Sequence, residues 1–203
     1  MKEFKLSDYA AGDKIYMENL CVKDCQITGI QQSWIEIQNC KFENVIFNNL
    51  YEGECLNIEN CEFKNCVFGD TFGGFTVKIL LFDNKYINCK FDNVSYDGYM
   101  DQSEIQDDVF IDCNFKNIEI KGDVNIMGLE FKGGSIKNFN YTGNTISENY
   151  FENMLMQDVF AHALVNYNKM ENVTFENVTI KGVDEYNELI NCMNEYKFIK
   201  DIN

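Results

Sequence analysis

The chain has no proline and no arginine in its 203 residues, and only one histidine, His162, and one tryptophan, Trp34. With no arginine every base is a lysine, and 17 of them face 33 Asp and Glu, for a formal net charge of −16. A field of that sign repels nucleic acid and bilayers and attracts basic proteins. One histidine and no Cys-x-x-Cys leave no complete zinc-ligand pattern, so no metal is expected. No phosphate-cradling glycine loop or EF-hand pattern occurs, and no cofactor is expected; Gly73-Gly74 and Gly133-Gly134 read as turns. No stretch approaches the roughly 18 apolar residues of a membrane span. The first residues, Met1-Lys2-Glu3-Phe4, carry no long apolar run, so no signal peptide is expected.

What is present is a globular composition. Hydrophobic residues make up 45% of the chain, too many for disorder, and the length suits one domain with a substantial core. Nine cysteines stand at positions 21, 25, 40, 55, 61, 66, 89, 113 and 192. Most fall at positions argued below to face the core, and they read as reduced, buried, small hydrophobes. That implies a cytoplasmic chain.

One phrase recurs. Asn39-Cys40-Lys41-Phe42-Glu43-Asn44-Val45 returns as Asn60-Cys61-Glu62-Phe63-Lys64-Asn65-Cys66, then as Asn88-Cys89-Lys90-Phe91-Asp92-Asn93-Val94. Asp112-Cys113-Asn114-Phe115 and Asn172-Val173-Thr174-Phe175 open later copies. Inside the phrase the unit is five residues. A small apolar residue is followed two places later by a large one, and the pair recurs at +5, as Cys61/Phe63 leads to Cys66/Phe68. Spacing of two puts both side chains on one face of a short extended segment. Two places after the large residue stands Asn, Gly or Asp: Asn44 after Phe42, Gly128 after Ile126, Asp112 after Phe110. These residues tolerate positive φ. Each five-residue unit is therefore one extended step and one sharp turn.

A chain that turns every five residues and always buries the same two positions must coil around them. Four faces close a square of roughly 20 residues, and successive coils stack at about 4.8 Å. The period of five excludes an amphipathic helix. The absence of proline fits a backbone whose N–H groups are nearly all needed for ladders between coils. The recurring Asn39/Asn60 and Asn44/Asn65 are expected to bond amide to amide up the turn stack.

This pattern resembles the pentapeptide-repeat family over roughly Leu20 to Gly182. Cys40/Phe42, Cys61/Phe63, Cys66/Phe68, Cys89/Phe91 and Cys113/Phe115 match its small and large buried positions, while Lys41, Glu62, Lys90 and Thr174 depart from its Asp or Asn between them. The resemblance implies an all-β, right-handed parallel β-helix, here of about seven to eight coils. One domain is expected: residues 1–19 as an N-terminal cap, 20–182 as β-helix and 183–203 as a C-terminal capping α-helix. Asp184 to Lys200 reads as that helix, with Tyr186, Leu189, Ile190 and Met193 on one face and Asp184 as N-cap. In the family such a helix can join two rods, which implies a homodimer.

The beat breaks near Tyr51–Cys55, over Gly69–Ile79 and over Tyr96–Asp107, and weakens around His162–Tyr167. Loops projecting from a rigid rod are natural contact sites. The expected partner-binding residues are Asp97, Asp101, Glu104, Asp107 and Asp108 in the acidic insertion, with Phe72 and Phe75 as apolar anchors. No catalytic set is found: His162 stands without a nucleophile signature, and Asp107/Asp108 have no spacing that makes an acid/base pair. The leading reading is a non-enzymatic inhibitor or immunity protein that binds a basic, nucleic-acid-acting toxin or enzyme. A second, implied by the resemblance to quinolone-resistance pentapeptide proteins, is DNA mimicry toward DNA gyrase. A third is a carbohydrate-active β-helix enzyme with convergent carboxylates in a groove.

Overall fold

The structure, a computed structural model, describes residues 2–4, 6–30, 34–51, 55–69 and 78–200. It is a right-handed parallel β-helix of about eight turns with five-residue faces, as the pentapeptide resemblance implies. Nine three-residue strands, from Cys21–Lys23 to Glu188–Ile190, stack into one sheet. Among the described residues the remaining faces merge at their corners into a second sheet of 15 strands. Nine stacked strands leave eight gaps, so the rod is roughly 38 Å long at about 4.8 Å per coil. Coil length varies: Phe42 to Phe63 is 21 residues, Tyr86 to Phe110 is 24, and Met170 to Leu189 is 19.

Strict vertical register turns each large position into a column. The short-strand face gives Val22, Phe42, Phe63, Tyr86, Phe110, Phe131, Phe151, Met170 and Leu189. Its aromatic rings stack with centroids 4.7–5.0 Å apart and planes within 12°. The next face gives Phe47, Phe68, Phe91 and Phe115, stacked at 4.6–4.8 Å. The two columns meet edge to face, the geometry that ring quadrupoles favour.

The turn residues behave as their chemistry dictates. Asn44, Asn65, Asn88, Asp112 and Asn177 have φ between 51° and 55°. The asparagine amides form outer ladders: Asn44 donates to Asp24 (2.7 Å), Asn65 to Asn44 (3.2 Å) and Asn88 to Asn65 (2.9 Å).

The small positions have a second task. At one corner the buried backbone N–H of the small residue points inward, and in six coils the side chain of the next coil accepts it. Cys61 Sγ accepts from Cys40 N–H (3.4 Å), Asn84 Oδ1 from Cys61 N–H (3.0 Å) and Asn149 Oδ1 from Leu129 N–H (2.9 Å). Asn168 and Asn187 continue the series. The amide nitrogens then donate to a carbonyl one coil back, as Asn84 Nδ2 does to Ile58 (2.9 Å) and Asn168 Nδ2 to Ile146 (2.9 Å). Cysteine serves in the early coils and asparagine in the later ones, because both are small and both offer an acceptor and a donor. Asn149→Ala strands a buried N–H and is expected to lower the unfolding free energy by about 1–3 kcal/mol, read from the shift of a urea midpoint; a loss below about 0.5 kcal/mol would show that the amide is not needed.

Both ends differ from expectation. The first strand of a long face, Lys14–Glu18, lies inside the segment expected as a cap, and pairs in register with Trp34–Gln38. Before it come Lys2–Phe4, paired with Cys25–Ile27, a single 3-10 turn at Leu6–Tyr9 and a two-residue hairpin. At the other end the expected α-helix is absent. Glu188–Ile190 and Lys197–Lys200 are strands that add another coil. The edge of the preceding coil offers unpaired ladder groups along its length, and pairing with them outweighs the helical periodicity. Below Val165 the apolar column ends in Asp184. Its carboxylate accepts from Tyr196 Oη (3.1 and 3.2 Å) and from Asn187 Nδ2, while the Tyr196 ring sits edge-on to Phe175.

Candidate partner-binding surface

Charge is unevenly placed around the rod. On the short-strand face lysines and acids interleave: Lys41/Glu43, Glu62/Lys64, Glu130/Lys132 and Lys169/Glu171. Lys23–Glu43 (2.6 Å), Lys132–Glu130 (2.6 Å) and Lys169–Glu171 (3.6 Å) are ion pairs there. Such exposed pairs add little stability, but they neutralise the face.

The adjoining flank has no base. It consists of two outward columns on one long face and the corner column beside them. Glu18, Gln38, Glu59, Phe82, Gln106, Met127, Ser147, Asn166 and Glu185 stack in register, as do Tyr16, Glu36, Asn57, Leu80, Glu104, Asn125, Thr145, Leu164 and Val183. The corner column is Asn19, Asn39, Asn60, Asp83, Asp107, Gly128, Glu148, Tyr167 and Tyr186, and the first eight each donate their N–H to the next coil. These three columns hold Glu18, Glu36, Glu59, Asp83, Glu104, Asp107, Glu148 and Glu185 and not one lysine. Donors that carry no charge hold some of the carboxylates: Gln38 Nε2 donates to Glu36 (3.0 Å) and Glu59 (3.2 Å), Gln106 Nε2 to Asp107 (2.9 Å), and Tyr16 Oη to Glu18 (2.9 Å). The lack of a side chain at Gly128 leaves the room that the Asp107 carboxylate occupies.

The expected site residues are divided by this geometry. Glu104 and Asp107 lie on the acidic flank. Asp97 pairs in register with Lys121 on the preceding face, and the register shift between Gly98 and Ser103 makes the insertion a bulge at the corner between the two faces, with Asp101 inside it. Phe72 and Phe75 lie outside the described residues. Asp108 corrects the expectation. It is fully buried, at the small position below Asn84, and its Oδ1 accepts the Asn84 N–H (2.8 Å). Burial pushes its carboxyl up to about 8, with the Asp83 and Asp107 charges adding to the rise and the Asn84 hydrogen bonds opposing it. It is a core group and takes no part in a surface contact.

The other six flank acids, and the tyrosines that end the corner column, were not singled out from the sequence. The signal that finds Asp83, Glu148 and the tyrosines is the corner register: the turn residue of every fourth unit, 19 to 24 positions apart, read as one line, with Glu18, Glu59 and Glu185 each one residue before it and Glu36 three. Among the described residues no three His, Cys, Asp or Glu side chains converge as a metal-ligand set. His162 lies in the strand Leu155–Asn166, opposite Thr142 and Lys181.

The sequence matches no protein-family model and no curated protein. Among solved structures the chain is similar to QnrB1, a plasmid-mediated fluoroquinolone resistance protein, at 14% identity over 83% of this chain and 91% of that one, with a TM-score of 0.35. The full-length QnrB1 structure gives 13% identity over 85% and 93%, with a TM-score of 0.25. It is also similar to HetL, a pentapeptide-repeat protein involved in heterocyst differentiation regulation from the cyanobacterium Nostoc sp. strain PCC 7120, at 9% identity over 88% of each chain and a TM-score of 0.26. Likeness at this level carries nothing about activity, and the architecture stands on the register of the chain's own coils.

Proposed function

We propose that this pentapeptide-type β-helix is a non-enzymatic acidic binding protein, an inhibitor or immunity protein that neutralises a basic, nucleic-acid-acting toxin or enzyme by covering its charged active site. The observation that supports it is the lysine-free flank, with eight carboxylates on three adjacent columns beside a face of interleaved charges. A protein that grips nucleic acid lines its groove with cations spaced to meet phosphates. A rigid row of carboxylates offers those cations an alternative, and charge complementarity of this kind governs encounter rate and partner choice. Seven of the nine cysteines are buried, as thiols rather than disulfides, which suits a reducing compartment, the cytoplasm.

The test is a titration. Any basic nuclease that the tagged chain captures from a lysate is titrated with the chain, and DNA cleavage is followed. Complete loss at one-to-one stoichiometry is the expected result; unaffected cleavage in excess inhibitor would sink the proposal. The triple variant Glu59→Gln, Glu104→Gln, Asp107→Asn is expected to slow association about tenfold at low salt and far less at 0.5 M salt, measured by stopped flow; an unchanged rate would move the contact off this flank.

A second reading keeps the flank and changes the partner. The rod's roughly 38 Å is close to one turn of B-DNA, about 34–36 Å, which suits mimicry of a duplex toward DNA gyrase. Inhibition or protection of gyrase supercoiling at micromolar protein supports it; no effect removes it.

A further inference from the structure

The corner column carries more than acids. Its first turns use Asn19, Asn39 and Asn60, with φ of 54–56°, and Asp83 and Asp107 follow at 56°. Short polar side chains tolerate that conformation. The last two turns instead place tyrosines there, Tyr167 at φ 56° and Tyr186 at φ 57°. A bulky residue at positive φ is an outlier, and no core packing accounts for these two. Tyr167 is 56% exposed and Tyr186 72%, and their rings stack on each other with centroids 5.0 Å apart and planes 7° from parallel.

Acidic residues adjoin the pair in sequence and register. Glu148 occupies the turn directly above Tyr167, Glu185 precedes Tyr186, and Glu188 follows it by two residues; all three are exposed. The nearby Lys169, in register with Glu188, is turned to Glu171 and the ring of Tyr150. The two rings thus present aromatic faces bracketed by negative charge.

We infer that Tyr167 and Tyr186 form a docking ledge for an arginine side chain of the basic partner, an inference that rests on the basic-partner reading above. A guanidinium is planar and weakly hydrated, stacks on aromatic faces, and donates to carboxylates at the same time. Each of these properties meets a group on the ledge: rings to stack on, and Glu148, Glu185 and Glu188 to accept. A second copy of this chain cannot be the occupant on these terms, because it has no arginine to offer.

The same column supplies the variant that tests it. Tyr167→Asn with Tyr186→Asn removes both rings but installs the residue that Asn39 and Asn60 already show to be at ease in this turn. Its melting temperature is expected to equal or exceed that of the wild type. The probe is a fluorescein-labelled nona-arginine peptide, followed by anisotropy at 0.15 M NaCl. Wild type is expected to bind, and the double variant to bind about tenfold more weakly while retaining its fold. Equal affinity of the two proteins overturns the ledge and leaves the basic-partner reading standing. Failure of the wild type to bind at all overturns that reading and the ledge with it. Sedimentation of both proteins at micromolar concentration covers the remaining occupant: a wild-type dimer that the double variant dissolves makes the ledge a self-interface and overturns the assignment.

Discussion

Phe63→Ala is expected to lower the unfolding free energy by about 3–5 kcal/mol, the range for emptying a buried phenylalanine site. Phe63 is fully buried. Its ring stacks between Phe42 (5.0 Å) and Tyr86 (4.9 Å), and meets Phe47 (5.8 Å) and Phe68 (5.4 Å) edge to face. It therefore joins both aromatic columns at the same coil. A solenoid draws its stability from contacts between neighbouring coils, so the loss falls on the two junctions that this ring makes. Hydrogen exchange should show it there first, with protection lost around Phe42, Phe63 and Tyr86 before Phe131 and Phe151. Phe63→Leu keeps a large apolar side chain in place and is expected to cost clearly less. The measurement is urea unfolding by circular dichroism; a loss under about 1 kcal/mol for the alanine variant would mean that the rings are not what holds the coils together.

The fold was legible because a five-residue beat has one geometric solution. Cys61, Phe63 and Asn65 each announce a role, inward small, inward large and positive-φ turn, and Asn65 indeed has φ 53°. The terminal coil was misread because Tyr186, Leu189, Ile190 and Met193 satisfy helical spacing as well as β spacing. A competing signal was present. Asn191-Cys192 repeats the opening of Asn39-Cys40, and Asn191 and Asn194 take φ of 51° and 61°. Local periodicity could not choose between them; the waiting edge of the preceding coil did.

The acidic flank was harder to read for a different reason. Neighbours in a corner column are 19 to 24 residues apart in sequence. That variation destroys any fixed-period search, so Asp83, Asp107 and Glu148 look unrelated until register is known. The same obstacle hid Asp108. Beside Asp107 it reads as half of an exposed acidic pair. In register, Asp107-Asp108 corresponds to Asp83-Asn84, Glu148-Asn149, Tyr167-Asn168 and Tyr186-Asn187. The second member of every such pair is turned inward, whatever its charge.

Asp108→Asn is therefore expected to stabilise the protein, and by an amount that depends on pH. Asn84 donates its Nδ2 to the carbonyl of Ile58. Leu81 stands directly below Ile58, so its carbonyl is the corresponding acceptor for Asp108. The Asp108 oxygen that replaces the amide nitrogen, Oδ2, is buried and receives no hydrogen bond. An ionised carboxylate would set a charge against a carbonyl dipole in the core; the protonated acid can donate there as an amide does. This agrees with a carboxyl pushed up to about 8 by burial. The unfolded chain has an ordinary aspartate near 3.9. Between those two values the native state keeps a proton that the unfolded state releases. The stability contributed by this site is thus full below pH about 4, falls by roughly 1.4 kcal/mol per pH unit as the pH rises, and levels off above about 8. Asparagine has no proton to lose and keeps both hydrogen bonds. The variant's advantage should be near zero at pH 4 and on the order of 4 kcal/mol at pH 7, with urea unfolding of both proteins across pH 4–9 as the measurement. Titration of other groups cancels in the difference between the two proteins. An advantage that does not change with pH would show that Asp108 is ionised in the folded chain, and a loss of stability at pH 7 would show that its carboxylate is wanted there.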